Sequence, residues 1–478
     1  MEFIKDDDGD YYNEPVSPTG QCLNTSVLSM SVLGVLESEV PIDESKIMSF
    51  LQDVFLHINP RFCSIMVDVD GEKQWKEVEV KLTDHVHVPI FPSGVLPPES
   101  YDLYLGDYIS KVVLEKYPED KPLWEVHIIK YPTSTAAGNL IFKLHHALGD
   151  GYSFMSAFLS CLQRADDPSL PLTFPSRRGS ERKGLDNYYK SALRWVSQKL
   201  TSAFYAVKDL GWSAFVEDDR TPIRSGNSGV EFLPMDISSL IFSLDEIKLI
   251  KNKLNVTIND VTCGIVFFAT RLYMQEIINN NQKSSSAASC RALVLVNTRI
   301  THGDYKPVKQ MIGPNSEMPW GNRIAFMPVS MPNLTEISNP LDFVFEAQKR
   351  IKRKRSSFSV YFYNKLFEIV SKLRGHEAAS RYMHNRLMKS SLMISNMIGP
   401  VEKIALADHP IKGVYFMVLG IPQDIIITIV SYMGDLRISF GTQKGFIDPQ
   451  KFKSCLKNAF EMILEVTDKI PIQTKASL

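Results

Sequence analysis

The chain is poor in cysteine: Cys22, Cys63, Cys161, Cys263, Cys290 and Cys455 are the six in 478 residues, and they lie far apart. No Cys-x-x-Cys pair occurs, which argues against a zinc ribbon or a disulfide framework and predicts reduced thiols in a cytosol-facing protein. An excess of one charge is also missing. Lys and Arg number 53 against 54 Asp and Glu, for a net charge of −1, so no global field favours nucleic acid. Long apolar runs are absent too. GIVFFA (264–269) and IIITIV (425–430) fall far short of the roughly 20 residues that a spanning helix needs. The acidic start, MEFIKDDDGDYYNEP, lacks the basic and then apolar regions of a signal peptide. There is no Gly-x-Ser-x-Gly elbow, no cysteine with an evident base beside it and no internal repeat, so no serine or cysteine nucleophile is indicated.

What is present is ordinary globular composition, 44% hydrophobic and 22% charged, enough for a large core. The length suits two to three domains or one large two-lobed unit. Mixed strand and helix signals predict an α+β class. The chain divides into an N-terminal lobe (1–180), a linker with an amphipathic helix (181–235) and a C-terminal lobe (236–478). The linker is signalled by the Pro-, Ser- and charge-rich stretch 165–190. After it, Leu193, Val196, Leu200, Phe204 and Val207 form one stripe, with Arg194, Lys199 and Lys208 elsewhere. That helix packs on the core or lies on a membrane surface. The basic run KRIKRKR (349–355) is a solvated helix face or meets anionic lipid or CoA phosphates. Ser243 with Glu246 is a capping-box pattern, and Asp448 with Pro449 opens the final helix. VYFMVLGIP, DIIITIVSY and LRISFGTQ read as three strands, the last two joined by a tight Met433-Gly434-Asp435 turn.

The stretch NLIFKLHHALGDGYSF (139–154) carries the chemistry. It reads as strand, turn and helix. On a strand of period two, Leu140, Phe142, Leu144 and His146 share a buried face, while His145 shares the other with Lys143. Adjacent histidines on opposite faces cannot easily ligate one metal ion. Gly149 and Gly151 permit a tight turn. Asp150, four residues after His146, is placed to orient its ring or to anchor the turn to an arginine. A neutral imidazole at a buried strand end can take a proton from an alcohol near neutral pH.

HHALGDG resembles the His-His-x-x-x-Asp-Gly motif of the chloramphenicol-acetyltransferase-like acyltransferases. Within that superfamily the chain resembles the plant wax ester synthase/diacylglycerol acyltransferase family over nearly its whole length. The matching pieces are EPVSPTGQ (14–21), NPRF (59–62), PLWEV (122–126), NDV (259–261), LVNTR (295–299), GNRIAFMPV (321–329), SNMIGP (395–400) and SYMGDL (431–436). Asn59 replaces the family's usual His, and Met397 and Ile398 replace Val-Pro.

The resemblance implies a two-lobed fold, each lobe a mixed sheet with helices, and an active-site tunnel between them. It implies His146 as general base, His145 in support, and Asp150 holding the turn, with Arg299 as one possible partner. Asn259 would position substrate or oxyanion, although Thr257 and Asp260 have capping-box spacing there and Asn259 could equally serve the helix start. Pro122, Leu123, Trp124, Gly151, Gly321 and Asn322 would be structural. The substrates implied are long-chain acyl-CoA and a fatty alcohol or diacylglycerol, at a membrane surface, with acyl-CoA as co-substrate and no metal or resident cofactor. The implied location is the cytosolic face of the endoplasmic reticulum, by attachment near 191–215, or the plasma membrane. A hydroxycinnamoyl-type acyltransferase fits less well, since the C-terminal region offers only GDLRISFGTQ for that group's Asp-Phe-Gly-Trp-Gly. A non-catalytic lipid-binding relative would have no need of an intact His146, Asp150 and Gly151.

Overall fold

Apolar strands alternate with amphipathic helices along the chain. The computed structural model describes residues 13–70, 72–92, 96–172, 216–281, 288–299, 320–333, 339–355 and 359–471. The stripe from Leu193 to Val207 lies outside the described residues, as does the linker before 216. The first half runs β1 (Asn13–Pro15), α1 (Pro18–Cys22), β2 (Ser31–Ser38), α2 (Glu44–Asp53), β3 (Ser64–Val69), β4 (Glu72–Glu77), β5 (Val86–His87), α3 (Pro98–Val112), β6 (Trp124–Ile129), β7 (Gly138–His145), α4 (Gly151–Cys161) and β8 (Gln163–Arg164). The second half begins with β9 (Met235–Ser243), α5 (Leu244–Leu254), α6 (Ile258–Asn281), β10 (Arg291–Asn297), β11 (Ile324–Ser330), α7 (Leu341–Arg355) and α8 (Ser359–Leu387). It ends with β12 (Leu392–Ile398), β13 (Ile404–Leu406), β14 (His409–Leu419), β15 (Ile425–Tyr432), β16 (Asp435–Gln443) and α9 (Pro449–Asp468).

Local signals set several boundaries. Ser243 Oγ accepts the Glu246 N–H at the start of α5. Asp448 Oδ1 accepts the N–H groups of Gln450 and Lys451, with Pro449 in the first turn of α9. Met433 and Gly434 both take positive φ between β15 and β16, the geometry that a two-residue hairpin requires.

Two mixed sheets result, one ordered β5-β6-β7-β2-β14-β13-β8 and one ordered β11-β10-β12-β15-β16-β9. The division at 236 does not separate them. β14 comes from the expected C-terminal lobe, yet it pairs antiparallel with β2, from Ile411 against Ser38 to Leu419 against Ser31. Without it the apolar strand β2 would present a bare edge. A buried pair, Arg437 with Glu37 at 2.8 and 3.0 Å, also ties β16 to β2.

Helix α6 is long and apolar enough to cross a membrane by length and composition, although no single uninterrupted run announces it, and 72% of its apolar window is buried. It supplies Val261, Ile265, Phe268 and neighbours to the core of the second sheet, with α7 and α9 beside it.

Candidate active site

Strand β7 lies between β6 and β2, antiparallel to both. All eight of its residues are buried, so both faces are interior, and the strand stops at His145, which puts His146 in the turn and not on the strand face expected for it. Lys143 is buried because its charge is met: Nζ donates to the Glu115 carbonyl (2.7 Å) and to Glu125 Oε2 (3.2 Å), and it lies over the Tyr117 ring. Glu125 stands directly opposite on β6. The strand ends in a turn in which His146 N–H donates to the Met30 carbonyl (2.8 Å) and Leu148 N–H to the His145 carbonyl (3.0 Å). Asp150 then caps α4 through Ser153 N–H (3.0 Å).

The two imidazoles do different work. Nδ1 of His145 accepts the Ala147 N–H (3.0 Å), so Nε2 carries the proton and donates to Ser29 Oγ (3.1 Å). Burial pushes its pKa down to about 3. Both nitrogens are occupied, and the ring braces the turn.

His146 is held by Asn322 at two points. Asn322 Nδ2 donates to the His146 carbonyl (2.6 Å), which fixes Oδ1 as an acceptor 3.3 Å from His146 Nδ1. Nδ1 therefore carries the proton, and Nε2 keeps its lone pair. Burial lowers the pKa of His146, opposed by Asn322, the Asp150 charge and the Gly149 carbonyl. At neutral pH the ring is an uncharged base with one free nitrogen.

Both carboxylate oxygens of Asp150 are taken up by protein donors. Arg299 Nη1 and Nη2 meet its two oxygens at 2.7 and 3.1 Å, and Nη2 also donates to Ser153 Oγ (3.1 Å) and the Gly321 carbonyl (2.7 Å). Asp150 Oδ2 also accepts the Arg323 N–H (2.8 Å). The pair is buried on both sides and joins the histidine turn to the ends of β10 and β11. Gly321, at φ +116°, presents that carbonyl from a backbone conformation that side chains resist.

Two cavities lie in this part of the fold, neither of them walled by His146 itself. One, almost wholly apolar, has Phe142, Leu144, Gly151, Phe154, Met155 and Met397 among its walls. The other is walled in part by Leu23, Leu293, Ile324, Phe326, Tyr382 and Arg386. The Phe154 ring lies 6.4 Å from the His146 ring, and Ile324 follows Asn322 by two residues. All six cysteine thiols are raised by burial, to about 11 or 12, so none offers a thiolate at neutral pH. Among the described residues no cluster of His, Cys, Asp and Glu could hold a metal ion.

The family model for the wax ester synthase/diacylglycerol acyltransferase catalytic domain matches residues 65–262, and the WS/DGAT C-terminal domain matches 320–464. Wax ester synthase/diacylglycerol acyltransferase 8 of Arabidopsis thaliana is 30% identical over 465 residues, 92% of this chain and 93% of that one. This chain belongs to the wax ester synthase/diacylglycerol acyltransferase family. Number 11 of the same plant is 28% identical over 467 residues, 94% of each chain. Membership makes the protein an acyltransferase. A solved wax ester synthase/diacylglycerol acyltransferase from Marinobacter aquaeolei VT8 superposes with a TM-score of 0.60 at 15% identity, over 95% of this chain and 100% of that one. A starter condensation domain of rhizomide synthetase, solved with C8-CoA, superposes at 0.52 and 11% identity, over 98% and 97%. These likenesses establish the two-lobed chloramphenicol-acetyltransferase-like fold.

The remaining expected residues of this family member divide by position. Leu123 offers its carbonyl to the His145 N–H (3.0 Å). Trp124 is buried, donates from Nε1 to the Phe62 carbonyl (2.8 Å) and stacks on His85. With Pro122 at the strand start, this trio sets β6 against β7. Thr257 and Asp260 close a reciprocal capping box at 2.9 and 3.1 Å, which leaves Asn259 free of that duty. Its Oδ1 instead accepts from Asn396 Nδ2 (3.3 Å) on β12. Asn396 precedes Met397, whose Sδ would lie 2.8 Å from a Cβ placed on Gly151.

Sequence reasoning gave no part to Ser153, Trp320 or the Arg61–Glu14 pair. Trp320 Nε1 (2.7 Å) and Arg61 Nη1 (3.3 Å) both donate to the Leu148 carbonyl, and Glu14 holds Arg61 at 2.8 Å. Ser153 had a local signal, three residues after the capping Asp150, and Glu14 and Arg61 lie in the matching pieces EPVSPTGQ and NPRF without a sign that they pair.

Histidines buried without charge make this protein acid-sensitive. His145 gains a proton in the unfolded chain below about pH 6.5, but in the native state only near pH 3. Stability is therefore full above that upper value and falls as pH drops toward 3, by up to about 1.4 kcal/mol per pH unit from this residue. Urea midpoints at pH 7, 6 and 5 should show that decline, with a shallower slope in His145→Gln. Equal slopes would remove His145 as the cause.

Proposed function

We propose that the protein transfers a long-chain acyl group from acyl-CoA to a fatty alcohol, with diacylglycerol as a second acceptor, and that His146 is the general base. The observation that carries this reading is the Asn322-held imidazole, uncharged, with its ring 6.4 Å from that of Phe154, a wall of the almost wholly apolar cavity. Two apolar cavities suit two lipid chains, and holding both substrates at one base would supply proximity. The alcohol hydroxyl gives its proton to Nε2 as its oxygen attacks the thioester carbonyl carbon. The oxyanion collapses, the carbon–sulfur bond breaks, and the leaving sulfur takes the proton from His146 as CoA thiol departs. The start of α6, with Asn259 and Asn396 beside it, suits the developing negative charge. Asp150 and Arg299 hold the turn and touch no substrate. Substrates of this kind partition into membranes, which favours work at the cytosolic face of the endoplasmic reticulum.

Product analysis tests the reading. Purified protein given palmitoyl-CoA and hexadecanol should form wax ester, and diacylglycerol should yield triacylglycerol. No ester with either acceptor would end it. Chain-length preference supplies a finer check. A methyl group at residue 151 meets Met397 Sδ and drives that side chain into the first cavity. Gly151→Ala should then lower kcat/KM for palmitoyl-CoA roughly tenfold more than for octanoyl-CoA. An equal loss for both chains would show that this cavity does not hold the acyl tail.

A further inference from the structure

Charge is concentrated in one stretch of an otherwise balanced chain. Residues 349–386 carry eleven Lys and Arg against two Glu, in a protein of net charge −1. They form the end of α7 and nearly all of α8. Lys352, Arg353 and Arg355 are exposed on the first helix, and Lys372, Arg374 and Arg381 on the second. Glu377 pairs with Arg381 at 3.4 Å.

Helix α8 carries apolar residues both where it is buried and where it is open to water. Phe367 is buried and walls the second cavity together with Tyr382, Met383, Arg386 and Leu387. At 3.6 residues per turn, Leu366, Ile369 and Leu373 fall together on one side, where they are 37%, 49% and 78% exposed. Gly375, at φ +80° and ψ 173°, breaks the helix two residues after Leu373. The 359–374 limb can therefore lie at its own angle. An apolar stripe open to water marks an interface, and a stripe edged by Lys and Arg has the composition of a helix that lies on a lipid surface.

We propose that the 359–374 limb of α8 docks on an anionic bilayer. Leu366, Ile369 and Leu373 enter the headgroup–acyl boundary, and Lys372, Arg374 and the end of α7 meet the headgroups. The charge excess decides between occupants, because a second copy of this chain would bring the same positive field to the contact. The helix then turns one side to the lipid and another to a cavity. That the cavity draws its acceptor from the lipid rests on the acyl-transfer reading; the docking does not.

Flotation of the full chain with vesicles tests it, using phosphatidylcholine alone and phosphatidylcholine mixed with phosphatidylserine. Binding to the mixed vesicles should exceed binding to neutral ones at least about tenfold and weaken with salt. Leu366→Ser/Ile369→Ser/Leu373→Ser should cut it at least about tenfold, with melting temperature and transfer between detergent-dispersed substrates unchanged. Lys372→Glu/Arg374→Glu should erase the preference for anionic lipid. A triple variant that floats like wild type overturns the proposal. So does wild type that ignores both vesicles, or a dimer that the triple variant breaks while vesicle binding persists. Protein inactive toward every acceptor but still floating through the stripe supports docking and removes the acyl-transfer reading. Active protein that never floats does the reverse.

Discussion

Replacing His146 with alanine should lower kcat for ester formation by about 10²–10⁴-fold, the range that one positioned base supplies. The fold should survive, since the imidazole adds the Nδ1 contact to Asn322 and an interaction with the Gly149 carbonyl, while the His146 carbonyl keeps the Asn322 amide in place. A loss of about 1–2 kcal/mol in unfolding free energy is expected for the space left behind. His145→Ala provides the contrast. It removes the bonds to Ala147 and Ser29, so it should act first on stability and only through it on rate. If His146→Ala keeps wild-type kcat, the imidazole takes no proton in the rate-determining step.

Arg299→Ala should do the largest structural damage. It leaves the Asp150 carboxylate buried with backbone donors alone, and it strips the Gly321 carbonyl and Ser153 Oγ of a shared partner. Breaking such a pair from one side costs about 3–5 kcal/mol. Arg299→Lys should rescue little of this, because an ammonium cannot span two carboxylate oxygens and a carbonyl at once. Removing both charges, as Asp150→Asn with Arg299→Leu, should cost less than the two single changes added together. Urea midpoints on the four proteins give the coupling. An Arg299→Ala protein within about 1 kcal/mol of wild type would mean that the ion pair contributes little to joining the two sheets.

Much of this site can be read locally. The strand, turn and helix around HHALGDG follow from an apolar run, two glycines and a capping aspartate. The caps at Ser243 and Asp448 and the Met433-Gly434 turn sit where residue chemistry puts them. Long-range pairing is what local pattern misses. Lys143 suggests an open strand face, yet Glu125 on the neighbouring strand allows its burial. VYFMVLGIP reads as a strand with no partner indicated, yet β14 joins β2 across almost the whole chain. Asp150 and Arg299 stand 149 positions apart, so charge logic could suggest that pair but not establish it. The grip of Asn322 on His146 joins positions 176 apart, and nothing in either neighbourhood announces it.

A base and a nucleophile at His146 predict different species when the alcohol is withheld. Intact mass spectrometry of the enzyme after incubation with palmitoyl-CoA alone separates them. Direct transfer predicts an unmodified protein, with ester forming only once hexadecanol is added. An acyl adduct that accumulates on His146 or on a cysteine, and is then discharged by the alcohol, would contradict it.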